Sequence, residues 1–159
     1  MLKDYATMSD EQIARLLFDT TRMWRAQLNT VLAQYELTAS AWYVIRVLRD
    51  EGQGRTQKEL ASALAIEGPT LVKLLDSLER LNWIERRVAP TDRRAKTIWL
   101  IDSALPQIKE ADEKLGMVRH AILDVLDEQE RNDFTKPLSK VKQNLEQMCH
   151  ESNNQGDPI

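Results

Sequence analysis

The 159 residues are 42% hydrophobic and 30% charged, enough apolar side chain for one domain with a buried core, or for a small domain with long helical extensions. A lone cysteine, Cys149, and two separated histidines, His120 and His150, exclude a disulfide framework and any metal site of ordinary ligand spacing. The formal charge of -3 conceals a segregation: nine Lys/Arg stand against six Asp/Glu from Arg55 to Leu100, and thirteen against nineteen elsewhere.

Met1-Leu2-Lys3-Asp4-Tyr5 lacks the apolar run of a signal peptide, and no stretch approaches the roughly 18 apolar residues of a membrane span. A soluble, cytoplasmic protein is expected. Ser9-Asp10-Glu11-Gln12 has the form of a capping box, and Ile13, Leu17, Trp24, Leu28, Val31 and Tyr35 follow at roughly helical spacing, which predicts a first helix over about Asp10 to Gln34. A second opens at Thr38, carries Trp42, Ile45 and Leu48 on one face and ends at Gly52-Gln53-Gly54.

Thr56-Gln57-Lys58-Glu59 is another capping box, heading a helix of about ten residues that buries Leu60, Ala61 and Leu64. Gly68 can then make a turn and Pro69 suits a first helical position, because its missing N–H would be unpaired there. The next helix has Leu71, Leu74, Leu75, Leu78 and Leu81 inside and Thr70, Lys73, Ser77 and Arg80 outside, and Asn82 can end it in the left-handed region. Residues 83–88 and 96–101 are rich in β-branched and aromatic side chains and flank Ala89-Pro90-Thr91-Asp92, predicting a hairpin with a long charged tip.

The remainder is helical again. Leu105, Ile108, Leu115, Val118, Ile122 and Leu126 form one stripe, and Phe134, Leu138, Val141, Leu145 and Met148 another, spaced 4-3-4-3 as in a seam between paired helices. Pro137 interrupts that stripe and is expected to kink the helix or mark its real start. Residues 151–159 are polar and are expected to be disordered.

Between Arg80 and Lys96 six basic side chains, Arg80, Arg86, Arg87, Arg93, Arg94 and Lys96, meet only two acids, Glu85 and Asp92. Positive charge on a helix, turn, helix, hairpin unit points to nucleic acid. A helix presenting Thr70, Lys73 and Ser77 can lie in a major groove, with Lys73 donating to guanine and Val72 and the Thr70 methyl against thymine methyls. Lys73 and Arg80 read equally well as solvated helix charges, with Asp76 and Arg80 an i,i+4 pair. Thr56, Gln57 and Lys58 begin a helix whose free N–H groups attract phosphate. Arg80, Arg86 and Arg87 are further candidates for phosphate contact. An arginine of Asp92-Arg93-Arg94 on an exposed loop can enter a minor groove while the aspartate braces it.

Gln57-Lys58-Glu59-Leu60-Ala61, Leu71-Val72-Lys73-Leu74-Leu75-Asp76-Ser77-Leu78-Glu79, Ile84-Glu85-Arg86-Arg87 and Pro90-Thr91-Asp92-Arg93-Arg94-Ala95-Lys96 together resemble the MarR family of winged-helix transcriptional regulators, over about Ile13 to Leu126. Ile66-Glu67-Gly68-Pro69-Thr70-Leu71-Val72 with the wing motif is most similar to its SlyA branch. The implied fold is mainly α with a small β-hairpin wing: a winged helix-turn-helix lobe at 37–102, between an N-terminal dimerisation arm at 1–36 and C-terminal dimerisation helices at 103–150. The resemblance further implies a homodimer on an AT-rich pseudo-palindromic operator, with half-sites about one turn of DNA apart. Carried over by position, Pro69, Thr70, Val72 and Lys73 would face bases, with Ser77 beside them. Arg94 would enter the minor groove, Asp92 would brace the wing, and Arg93 and Lys96 would hold it through phosphate or pairing. Asn82, and Leu100-Ile101-Asp102-Ser103-Ala104 after the wing, depart from the family's usual glycines and Leu-Thr.

Relatives in that family often bind small aromatic carboxylates or other amphipathic effectors, and Arg22, Trp24, Arg25, Thr38 and Trp42 fall where such a cleft would lie. The same aromatics at helical spacing also read as core. Cys149 has no basic activator nearby in sequence and reads as an inert thiol. No catalytic triad, metal relay or phosphate loop is present, so neither enzyme chemistry nor a cofactor is expected. The alternative class is a helical adaptor whose winged module binds protein, distinguished from a DNA binder by its indifference to salt.

Overall fold

The computed structural model describes residues 8–89 and 95–154, with side chains to Cys149. Asp92, Arg93 and Arg94, proposed for the wing tip, lie outside the described residues, as do 155–159. The chain divides into two compact units, 1–118 and 119–159.

In the first unit, helix α1 (Asp10–Leu32) begins at the expected box: Ser9 Oγ accepts from the Gln12 N–H, and the Gln12 side chain accepts from the Ser9 N–H at 2.8 Å. Only Leu28 and Leu32 of α1 are buried; Ile13 and Leu17 are exposed. A 3-10 turn (Ala33–Tyr35) leads to α2 (Ala39–Asp50), capped by Thr38 and contributing Trp42, Val44, Ile45 and Leu48 to the core. β1 (Arg55–Thr56) follows, then α3 (Gln57–Leu64), α4 (Gly68–Arg80), β2 (Ile84–Val88) and β3 (Lys96–Leu100). After a 3-10 turn (Asp102–Ala104), α5 (Leu105–Leu123) buries Ile108, Ala111 and Leu115 and runs across the division between the units.

The sheet has the order β1-β3-β2, antiparallel throughout, with Arg55 opposite Ile98 and Ile84 opposite Leu100. The two-residue strand β1 was not among the predicted elements. Gly54, at φ 78°, delivers the chain to it and donates its N–H to the Ile98 carbonyl at 2.9 Å, while the Trp99 ring lies so close that an added Cβ would come within 2.7 Å of it. Glycine therefore meets both the backbone and the packing requirement there.

The turn between α3 and α4 also differs from expectation. Ala65 takes the left-handed conformation at φ 50°, and Gly68 is already the first residue of α4, with Pro69 behind it. Asn82 does adopt φ 58° where α4 ends. Leu71, Leu75 and Leu78 of α4 are fully buried with Leu60 of α3, so the helix pair and the sheet share one core.

The second unit contains α6 (Glu128–Asn154). Its start is a reciprocal box: Asp127 Oδ1 accepts from the Glu130 N–H at 2.8 Å and Glu130 Oε2 from the Asp127 N–H at 2.9 Å. Pro137 thus sits inside the helix, not at its beginning, and the helix continues through Asn154, past the expected boundary at 150. Arg131 donates to the Leu123 and Leu126 carbonyls at 2.8 and 3.0 Å, satisfying acceptors left over where α5 stops.

Candidate nucleic-acid interface

With Leu71, Leu75 and Leu78 sealed, α4 can offer a ligand only its other faces. Pro69, Thr70, Lys73 and Arg80 are exposed and Val72 and Ser77 half-buried. Glu67 caps α4 without a side-chain hydrogen bond, and no acid stands in the first turn of the helix. Lys73 and Arg80 make no ion pair among the described residues. Asp76 is not partnered with Arg80 as the i,i+4 spacing suggested; it is held by Arg86.

α3 begins differently. Thr56 Oγ1 accepts from the Glu59 N–H at 3.3 Å, and Glu59 Oε2 accepts from both the Thr56 N–H at 2.7 Å and its hydroxyl at 2.8 Å. These bonds hold the Glu59 carboxyl below the ordinary glutamate range, chiefly through the Thr56 N–H and then the hydroxyl. The polar groups of Thr56 are therefore engaged inside the chain, and a carboxylate stands in the first turn. Gln57 is half-buried, and Lys58 is exposed with no ion pair among the described residues.

The arginines of β2 are also engaged. Arg86 donates from Nη2 to Asp76 Oδ1 at 2.6 Å and from Nη1 to Glu79 Oε2. Burial depresses its pKa, but the two carboxylates outweigh that and hold it above the ordinary arginine value. Arg87 donates from Nε to Glu85 Oε1 at 2.7 Å and lies over the Trp99 ring, 4.6 Å from its centroid. Trp99 in turn donates from Nε1 to Thr97 Oγ1 at 2.9 Å. Neither arginine is a loose cation, although the charge pattern had suggested phosphate contacts for both. Asp76, Glu79 and Trp99 were missed as their partners; alternation along β2 puts Arg86 on the same face as the buried Ile84, a signal that was there to be used.

Past the paired residues of β2 and β3 the Ala89 N–H donates to the Ala95 carbonyl at 2.9 Å. Lys96 is exposed at the first position of β3.

The residues suggested for an effector cleft are dispersed in role. Trp42 is 2% exposed and belongs to the core; Trp24 packs half-buried against it. Arg25 donates to Ser40 Oγ at 2.7 Å, Arg22 pairs with Asp19 at 3.4 Å, and Thr38 caps α2. Among the described residues, no helix is long and apolar enough to cross a membrane, and no three His, Cys, Asp or Glu side chains gather as metal ligands.

The model of the MarR family matches residues 35–95. The transcriptional regulator PA3341 is 36% identical, with 85% of this chain and 98% of that one covered and a TM-score of 0.74. A MarR protein from Peptoclostridium difficile superposes with a TM-score of 0.81 at 18% identity, covering 96% of this chain and 97% of its own. MepR from S. aureus, in a structure with DNA, gives 0.74 at 24% identity over 87% and 99%. The last two show the same winged-helix fold.

Proposed function

The chain belongs to the MarR family, and from that premise we propose that it is a homodimeric, sequence-specific DNA-binding transcriptional regulator of the cytoplasm. Within the family it resembles the SlyA branch through Ile66 to Val72 and Asp92 to Lys96. The observation that carries the DNA reading is α4: Leu71, Leu75 and Leu78 are sealed in the core, while Pro69, Thr70 and Lys73 are exposed beside a helix end that no side chain caps. Such a helix fits a major groove, with Val72 and Ser77 at the margin of the contact and Lys73 reaching a guanine edge.

Arg94 is assigned to the minor groove, braced by Asp92, with Arg93, Lys96, Lys58 and Arg80 on phosphates. Arg86 and Arg87 leave the set of phosphate contacts, because their guanidinium groups are held by Asp76, Glu79 and Glu85. A second copy of the chain supplies the other half of a pseudo-palindromic, AT-rich site. A small aromatic carboxylate or other amphipathic molecule is the effector class, with Arg25, which donates to Ser40 two residues beyond Thr38, and Arg22 as the cationic groups to test first.

The purified full chain should enrich inverted repeats from a pool of random-sequence duplexes. Affinity for the selected duplex should fall roughly 10³-fold or more between 50 and 200 mM salt. Arg94→Ala should abolish most specific binding while the protein still sediments as a dimer. Lys73→Ala should relax preference at one base per half-site by ~1–3 kcal/mol. No enrichment, or binding of proteins that ignores salt, would replace this reading with the adaptor.

A further inference from the structure

Arg86 occupies an unusual place among the basic residues of α4, β2 and β3. Its side chain is 17% exposed, and both of its carboxylate partners come from another element. Asp76 lies one turn beyond Lys73 on α4 and Glu79 one turn beyond Asp76, so the groups that grip Arg86 belong to the same helix as those proposed to meet bases. Arg86 itself stands two residues before the end of β2, close in sequence to the Ala89–Ala95 backbone hydrogen bond between the two sides of the wing. A guanidinium is a planar fork, so two carboxylates bound to it fix its orientation as well as its distance.

We propose that Arg86 is a positioning residue that sets where the wing stands relative to α4, acting through Asp76 and Glu79 and not through phosphate. The proposal rests on the DNA-binding reading and adds a device to it.

The two roles for Arg86 make opposite forecasts. If it bound phosphate, Arg86→Met would weaken specific and non-specific DNA alike and flatten the salt slope by about one. Asp76→Ala/Glu79→Ala would then tighten binding, since two negative charges leave. If it is a brace, Arg86→Met lowers affinity for the selected duplex roughly tenfold, leaving non-specific affinity and the salt slope in place. The double alanine variant then loses the same discrimination, and the triple variant is no worse than either, as for residues acting as a unit.

The experiment measures both affinities of the full chain, on a duplex selected by the wild type and on a poly(dI-dC) competitor, across a salt series. Arg86→Lys completes the set: a point charge would restore a phosphate contact but not a bidentate clamp. Should Arg86→Met fail to fold, the alanine pair decides alone, since Asp76 and Glu79 have side chains 60% and 40% exposed on a helix. Tighter binding by the alanine pair, a flattened salt slope, or full rescue by lysine overturns the brace. A wild type that selects no duplex overturns the DNA-binding reading itself, a different and recognisable failure.

Discussion

Leu71, Leu75 and Leu78 on α4 are sealed within their own chain, whereas Phe134, Leu138, Val141, Leu145 and Met148 on α6, spaced as regularly, are all exposed. The two helices carry similar apolar stripes to opposite ends. In α4 the stripe is covered by α2, α3 and the sheet, and the faces left over are polar enough to meet water or a charged ligand. In α6 no described residue is buried, and leaving five large apolar side chains in water forfeits about 25 cal/mol for each Å2 that a partner would cover. α1 shows the same excess, with Leu16, Met23 and Phe18 exposed, the last at 71%. The apolar face of α4 is covered within one copy, and the stripes of α1 and α6 are left exposed. That difference is what the proposed dimer would use: reading heads that keep their shape, joined by helices that become stable on pairing.

The contrast breaks most sharply at α6. Leu138→Asp with Val141→Asp puts two charges into the proposed seam, and the dimer dissociation constant should rise by about 10³ or more, roughly 4 kcal/mol. Sedimentation equilibrium at micromolar concentration measures it, and a variant that remains fully dimeric would show that the stripe serves something else. Leu75→Ala attacks the other side of the comparison. It should cost ~2–5 kcal/mol in urea unfolding, with the folded variant still dimerising as the wild type does. A loss of association in that variant would mean that lobe and arms are not independent.

The features legible from the residues are those set by local chemistry. The boxes at Ser9 and Thr56 and the cap at Thr38 predicted three helix starts, because a cap is decided within four residues. The sealed face of α4 followed from leucine spacing. Arg55-Thr56 gave no strand signal, since β1 exists only through its pairing with β3, far along the chain. The partner of Asp76 was misread for a related reason: the i,i+4 rule considers only the helix itself, while Arg86 arrives from β2 with a second acceptor, Glu79, already beside it. Of the proposed interface, the outer face of α4 was legible, and the internal engagement of Thr56, Arg86 and Arg87 was not. Charge in a sequence does not show which cations the fold has already spent.

The smallest effect comes from the turn that was assigned to Gly68. Glycine is the default residue for positive φ, yet here Ala65 takes φ 50° and Gly68 enters the helix. The end of α3 accounts for this, since the Ile66 N–H donates to the Ala61 carbonyl and the Ala65 N–H to that of Ser62, both at 3.1 Å, a pairing that needs the intervening residue left-handed. An alanine in that region costs about 1–2 kcal/mol, and the Ala65 side chain is exposed, with little burial to offset it. Ala65→Gly should therefore stabilise the lobe. The extra freedom of glycine in the unfolded chain returns ~0.4–1 kcal/mol of the gain, leaving roughly 0.5–1 kcal/mol. The urea midpoint should rise accordingly, with no change in dimer dissociation, because nothing in the arms is touched. A lower midpoint would show that the Ala65 methyl contributes packing that outweighs its backbone strain.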